Sequence, residues 1–125
     1  MRFAKIVFLI AGIWGVLIVT PMFFMYDYIG SLYPPALTHP YIYYGFVTVT
    51  LSWQIAFLII SADPPRYRPL FPAAMLEKFG FIAAIAVLLS QRRISPGFAA
   101  STAPDLVLGS LFVAAFVKSK PKPST

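Results

Sequence analysis

The chain has 125 residues, of which 59% are hydrophobic and only 11% charged, and its net charge is +6 at pH 7. A soluble domain of this length cannot build a core that buries so many apolar residues, so the composition predicts a protein dissolved in a lipid bilayer. The absence of cysteine excludes disulfides, thiolate metal sites and a cysteine nucleophile. We expect no metal and no cofactor.

Four apolar runs predict an all-α membrane protein, a four-transmembrane-helix bundle that occupies residues 1–118 as a single domain. The helices are predicted over residues 4–26, 41–62, 71–90 and 102–118. Asp63-Pro64-Pro65 ends the second run, since proline cannot donate to the helical ladder and restricts the residue before it. Thr102 is the predicted N-cap of the fourth helix, which is short for a span.

Lysine and arginine are distributed unevenly between the two ends of these helices. Two, Arg92 and Arg93, lie at one end, and the other eight lie at the opposite end or in the tail. Because short cytoplasmic loops are enriched in basic residues, both termini are predicted to be cytoplasmic, in a bacterial inner (plasma) membrane. The basic residues flank apolar runs and form no single face, which argues against nucleic-acid binding. Residues 119–125 are predicted to be a disordered basic tail.

Glu77 and Lys78 are charged residues inside the third predicted helix, and such residues are candidates for function. Counted from Pro72, they lie roughly 8 Å into the helix, near an interface. Adjacent helical residues point about 100° apart, so we expect Glu77 to face the bundle and to pair with Arg66 or Arg68. Both a buried structural anchor and a proton or ligand site fit this arrangement.

Two further groups of polar or aromatic residues are candidates for binding sites. Trp14, Trp53 and Gln54 lie near the middle of their spans, where they would line a pocket for a lipid or quinone or would pack between helices. An outer polar cluster is also predicted. It comprises Asp27, His39 and Asp105. Loop capping explains the same three residues, and their spacing matches no compact metal motif.

Several short segments resemble those of small uncharacterised four-helix proteins of bacterial inner membranes, and DoxX-like proteins are the named group that the chain is most similar to. The segments are Tyr44-Gly45-Phe46, Trp53-Gln54, Asp63-Pro64-Pro65-Arg66-Tyr67-Arg68-Pro69-Leu70 and Leu76-Glu77-Lys78. The resemblance implies a four-helix membrane fold and transfers no catalytic motif.

Two functions are compatible with the sequence. The first is a structural or accessory membrane protein that binds a lipid or quinone or serves as a subunit of a larger membrane complex. The alternative is a small transporter or channel that works as a homo-oligomer and uses Glu77 or Asp105. An intramembrane enzyme would need His39 with Asp27 or Asp105 as acid and base in one pocket, and we do not expect it.

Overall fold

A computed structural model describes residues 2–119, and this part of the chain is helical with short connections. Four helical paths are long and apolar enough to cross a membrane. These paths are Arg2–Phe24, Pro40–Ala62, Pro64–Ser90 and Pro96–Lys118. The all-α prediction with four helices of membrane-spanning length is therefore confirmed. Most of the predicted tail, residues 120–125, lies outside the described residues.

The first path changes geometry near its end. Helix α1 (Arg2–Val19) continues as a 3-10 segment over Thr20–Phe24, with Pro21 in its first turn. Proline has no N–H to donate to the α-helical ladder, which accounts for the change at this point. A short helix, α2 (Tyr26–Leu32), follows in the stretch between the first two predicted helices.

The third path begins earlier than predicted. Helix α3 (Pro40–Ala62) has Asp63 as its C-cap residue. The segment between the second and third predicted helices is itself helical, as α4 (Pro64–Tyr67) and the 3-10 segment Arg68–Leu70. Helix α5 (Phe71–Ser90) follows directly. Each of these segments has a proline in its first turn, where the missing N–H has no helical partner to lose. Prolines that were interpreted as breaks are therefore compatible with a nearly continuous helical path.

The fourth path is also longer than predicted. Helix α6 (Pro96–Ser101) begins with a side-chain cap, since the Phe98 N–H donates to the Ser95 hydroxyl oxygen at 3.1 Å. Helix α7 (Ala103–Lys118) continues after one residue, Thr102. Thr102 is the N-cap residue of α7, as predicted, although its side chain makes no capping hydrogen bond. The sequence did not predict α6, which extends the path to 23 residues. The path is long enough to cross about 30 Å of hydrocarbon.

An aromatic core holds the four paths together. Helix α1 packs along α3, α5 packs along α7, and α1 also contacts α7. Each path contributes one fully buried phenylalanine to the core: Phe8, Phe57, Phe71 and Phe112. The ring of Phe8 stacks on that of Phe112 with centroids 4.4 Å apart and lies 4.6 Å from that of Phe71. These rings join elements that are distant in the sequence.

Large apolar side chains cover the outside of the bundle. Leu17, Leu76 and Val117 are each more than half exposed. In a bilayer such a surface faces hydrocarbon chains, so exposure has no hydrophobic cost there. The outer surface of the bundle is therefore apolar, as expected of helices that contact lipid.

Glycines allow the helices to approach closely at two places. On α1, a Cβ atom at Gly12 would lie 3.0 Å from the backbone oxygen of Gln54, and one at Gly15 would overlap the Gln54 side chain. On α7, a Cβ atom at Gly109 would lie 3.0 Å from that of Lys78. Small residues at such contacts permit the backbone approach on which helix association in lipid depends.

Replacing Gly12 by leucine is expected to lower the free energy of unfolding by about 1–3 kcal/mol, because the added side chain forces α1 away from α3. The matched control is Gly45→Leu, since a Cβ atom at Gly45 has no neighbour within 4 Å. Thermal unfolding in detergent, followed by circular dichroism, measures both. Equal melting temperatures for the two variants would contradict the proposed role of Gly12.

Helix α5 ends in a Schellman motif. The Arg93 N–H donates to the Leu88 oxygen at 2.9 Å and the Arg92 N–H to the Leu89 oxygen at 3.0 Å. Arg92 has φ of 58°, a left-handed conformation that glycine usually adopts at this position. A side chain makes this conformation unfavourable, so the turn is strained at Arg92.

Replacing Arg92 by glycine is expected to raise the free energy of unfolding by about 0.5–1 kcal/mol, the relief of strain being partly offset by the larger entropy of the unfolded chain. The control is Arg92→Ala, which removes the same charge but keeps the Cβ atom. Denaturant titration of both variants separates backbone strain from charge. A gain of the same size in the alanine variant would assign the effect to charge.

Candidate functional site

An intramembrane polar cluster lies between the helices and comprises Gln54 on α3, Glu77 and Lys78 on α5, and Asp105 on α7. The Lys78 ammonium donates to Asp105 Oδ1 at 3.1 Å and lies 3.4 Å from Glu77 Oε2. Lys78 is 5% exposed. One buried cation is therefore shared by two carboxylates from different helices.

The local packing explains how Lys78 reaches Asp105. Its stem lies against Gly109 on α7, where the absence of a Cβ atom leaves room for it. Asp105 precedes Gly109 by one helical turn and therefore lies on the same face of α7. The ammonium also lies 5.5 Å from the ring centre of Phe57, within range of a cation–π interaction. Lys78 thus links α3, α5 and α7.

Gln54 extends the cluster to the remaining helix. It is 1% exposed, and its Nε2 donates to the Thr50 oxygen at 2.9 Å. Its side chain fills the space above Gly15 on α1 and also neighbours the Glu77 carboxylate. All four helical paths therefore contribute to the surroundings of the cluster.

The cluster has more acceptors than donors. Gln54 Oε1 and Glu77 Oε2 are buried and have no hydrogen-bond donor among the described residues, although Glu77 Oε2 is within ion-pair distance of Lys78. With all three charged groups ionised, two carboxylates and one ammonium carry one net negative charge. A proton or another small cation is the kind of species that such a group can attract.

The cluster lies near the middle of the helical paths. Because the third path starts at Pro64 and not near Pro72, Lys78 lies roughly 20 Å along the chain from either end of its path, at 1.5 Å per residue. Gln54 and Asp105 also lie near the middle of theirs. The predicted depth was counted from Pro72, whereas the helical path begins at Pro64.

The predicted partners of Glu77 make other contacts. Arg68 donates to the Phe116 oxygen at 2.9 Å and to the Ser119 hydroxyl at 3.2 Å, and its guanidinium lies 3.9 Å from the centre of the Phe116 ring. The guanidinium of Arg66 lies 5.6 Å from the ring centre of Tyr67. The expected pairing of Glu77 with Arg66 or Arg68 is therefore wrong, since the neighbouring Lys78 supplies the cation.

The residues of the predicted lipid or quinone pocket lie in different surroundings. Trp14 is 46% exposed on the outer surface of α1. Trp53 is partly buried and packs at the edge of the aromatic core, 6.2 Å from the ring centre of Phe57. Gln54 belongs to the intramembrane polar cluster. The two tryptophans therefore lie in the packed edge and outer surface of the bundle.

The predicted outer cluster of Asp27, His39 and Asp105 is divided between two places. Asp27 lies in the first turn of α2, and His39 lies 2.9 Å from the Thr38 hydroxyl at the start of α3. Asp105 binds Lys78 inside the bundle. No group of three potential metal-ligating side chains occurs among residues 2–119. Asp105 and Gly109 are four residues apart and so lie on one face of α7. This spacing was the feature of the sequence that indicated an inward position for Asp105.

No family model, curated protein or solved structure matches the chain. The intramembrane polar cluster can do two things with the groups that it contains. It can tie helices together through the shared ammonium, and it can take up a cation through its surplus acceptors.

Proposed function

We propose that the protein is a small structural or accessory protein of a bacterial inner membrane, with both termini cytoplasmic. The orientation is supported by the distribution of basic residues. Lys78 no longer counts toward it, because this residue is buried in the bundle. The remaining seven residues at one end and in the tail still outnumber Arg92 and Arg93 at the other. The relationship to DoxX-like proteins forms part of this proposal.

The observation that supports the accessory role is that the charged groups inside the bundle, Lys78, Glu77 and Asp105, pair with one another. Lys78 binds carboxylates on α5 and α7 and contacts an aromatic ring from α3. Such a group fixes how the helices pack and provides a specific bundle that other membrane proteins can recognise. The exposed apolar surface supplies the area for contacts with lipid or with other membrane helices.

Native mass spectrometry of the gently solubilised full-length protein tests the accessory role. We expect a defined oligomer, or a complex with other membrane proteins from the host in which it is naturally produced. Crosslinking in intact membranes before solubilisation guards against loss of weak partners. A bare monomer under both conditions would contradict the proposal.

A second candidate function, proton- or cation-coupled transport by an oligomer, is favoured by one specific observation. The intramembrane polar cluster lies near the middle of the helical paths. It contains two buried oxygen atoms, Gln54 Oε1 and Glu77 Oε2, that accept no hydrogen bond from residues 2–119. Ionisable groups at such depth in membrane proteins commonly mark ion or proton pathways. Glu77 and Asp105 would carry the transported cation or proton.

Reconstitution into vesicles that contain a pH-sensitive dye tests this second function. An imposed potential should drive a proton flux that Glu77→Gln and Asp105→Asn abolish, while the exposed Asp63→Asn serves as the control. Flux equal to that of empty vesicles would contradict transport of protons. Repeating the measurement with sodium and potassium indicators extends the test to metal cations.

A further inference from the structure

A small cavity opens between the first turns of α1 and the end of α7, away from the intramembrane polar cluster. It measures about 150 Å³ and is lined by Phe3, Ala4, Ala115, Lys118 and Ser119. Small-molecule sites usually occupy roughly 300–1,000 Å³. The available space therefore favours a compact group, such as a phosphate, over a large ligand.

The lining of the cavity combines a cation with an apolar wall. The Lys118 ammonium lies 4.3 Å from the centre of the Phe3 ring, in the geometry of a cation–π interaction. No carboxylate of residues 2–119 lies within ion-pair distance of Lys118. The ammonium is therefore positioned by an aromatic ring and keeps its donors for another acceptor.

A second cation, Arg68, is bound to a residue that lines the cavity. Arg68 donates to the hydroxyl of the lining residue Ser119 and to the Phe116 oxygen, and its guanidinium stacks on the Phe116 ring. A guanidinium has five N–H groups, and these two bonds use two different nitrogens. Because Arg68 is already ordered, binding a ligand there would cost little side-chain entropy.

The position of the cavity indicates the source of the acceptor. The cavity lies at the end of the bundle where Arg2, Lys5 and Arg66 are also exposed. In the proposed orientation this end meets the cytoplasmic headgroup layer, where anionic phospholipids attract basic residues. The apolar side chains of the lining, Phe3, Ala4 and Ala115, are suited to the adjoining glycerol and acyl region.

We propose that this cavity binds the phosphate of an anionic phospholipid headgroup, with Lys118 as the ligand-binding cation and with Arg68 held nearby by its hydrogen bond to the lining residue Ser119. The site rests on the proposed placement in the membrane. It is independent of whether the intramembrane polar cluster transports a cation. Bound lipid would fix the end of α7 against α1 by bridging the headgroup layer and both helices.

The test compares Lys118→Gln with Lys5→Gln, which removes the same charge from an exposed position on α1 at the same end. Each full-length protein is purified in detergent, mixed with phosphatidylglycerol or phosphatidylcholine, and examined by native mass spectrometry. Lys118→Gln should reduce retention of phosphatidylglycerol about tenfold and Lys5→Gln less than twofold, a difference of roughly 1 kcal/mol or more. Circular dichroism confirms that both variants are folded.

Three results would overturn the lipid site. Equal losses in both variants would indicate general surface electrostatics, and equal retention of the two lipids by the unmodified protein would exclude charge recognition. Displacement of phosphatidylglycerol by an equal concentration of inorganic phosphate would assign the cavity to free phosphate. Vesicle flotation separates these failures from failure of the membrane placement, because a protein without the lipid site should still float with phosphatidylcholine vesicles.

Discussion

Replacing Lys78 by methionine is expected to lower the free energy of unfolding by about 3 kcal/mol, the lower end of the range for breaking a buried ion pair, because the partly buried Glu77 and Asp105 lose their cation. Methionine keeps most of the length of the side chain, so the space beside Gly109 stays filled. The loss should therefore come from charge and not from a cavity. Reversible unfolding in mixed detergent micelles, followed by circular dichroism, measures it.

A combined variant separates the charge effect from a packing effect. Glu77→Gln and Asp105→Asn, added to Lys78→Met, remove all three charges while the shapes of the side chains are nearly kept. We expect this triple variant to recover most of the stability, since a buried ion pair is often no more stable than a neutral replacement. A triple variant as unstable as Lys78→Met alone would show that the stem of Lys78, and not its charge, holds α5 to α7.

The helical character of the four paths was predictable because it depends on properties summed over some twenty residues. An apolar run of this length with few or no charges is a strong signal for a helix in lipid, where backbone groups must bond within the segment. The ends of the helices were harder to predict. Pro64 and Pro65 were interpreted as the end of a helix, whereas proline in a first helical turn allows the helical path to continue.

The partner of Glu77 could not be predicted from local spacing. Adjacent residues on an ideal helix point in different directions, and this argument separated Glu77 from Lys78. A lysine side chain is long and flexible enough to lie across Gly109 and return its ammonium to both carboxylates. The deciding feature was the close approach of α7 to α5, which is a tertiary contact absent from any single segment.

The polar and aromatic parts of the bundle interior are connected. Phe57 is a member of the aromatic core and also lies beneath the Lys78 ammonium. A change in the charge of the intramembrane polar cluster therefore acts on a residue that packs against Phe8 and Phe112. If the protein transports a cation, uptake at the cluster would therefore alter helix packing through the contact between Lys78 and Phe57.

Replacing Phe8 by alanine is expected to cost about 3 kcal/mol, the lower end of the range for removing a buried aromatic ring. Phe8 contacts Phe57, Phe71 and Phe112, so its loss opens a cavity where all four helical paths meet. The lower end applies because unfolded helices remain in lipid, and transfer from water then adds little to the cost.

Phe24→Ala is the matched control, since Phe24 is 88% exposed and its removal leaves no internal cavity. Both variants lose the same apolar side chain from α1 or its 3-10 extension, and they differ only in whether the ring is packed. A large effect at Phe8 and almost none at Phe24 would show that packing, and not apolarity, stabilises the bundle. Similar effects at the two positions would mean that the ring of Phe24 is buried in the functional assembly, and the exposed end of the first path would then be part of an interface.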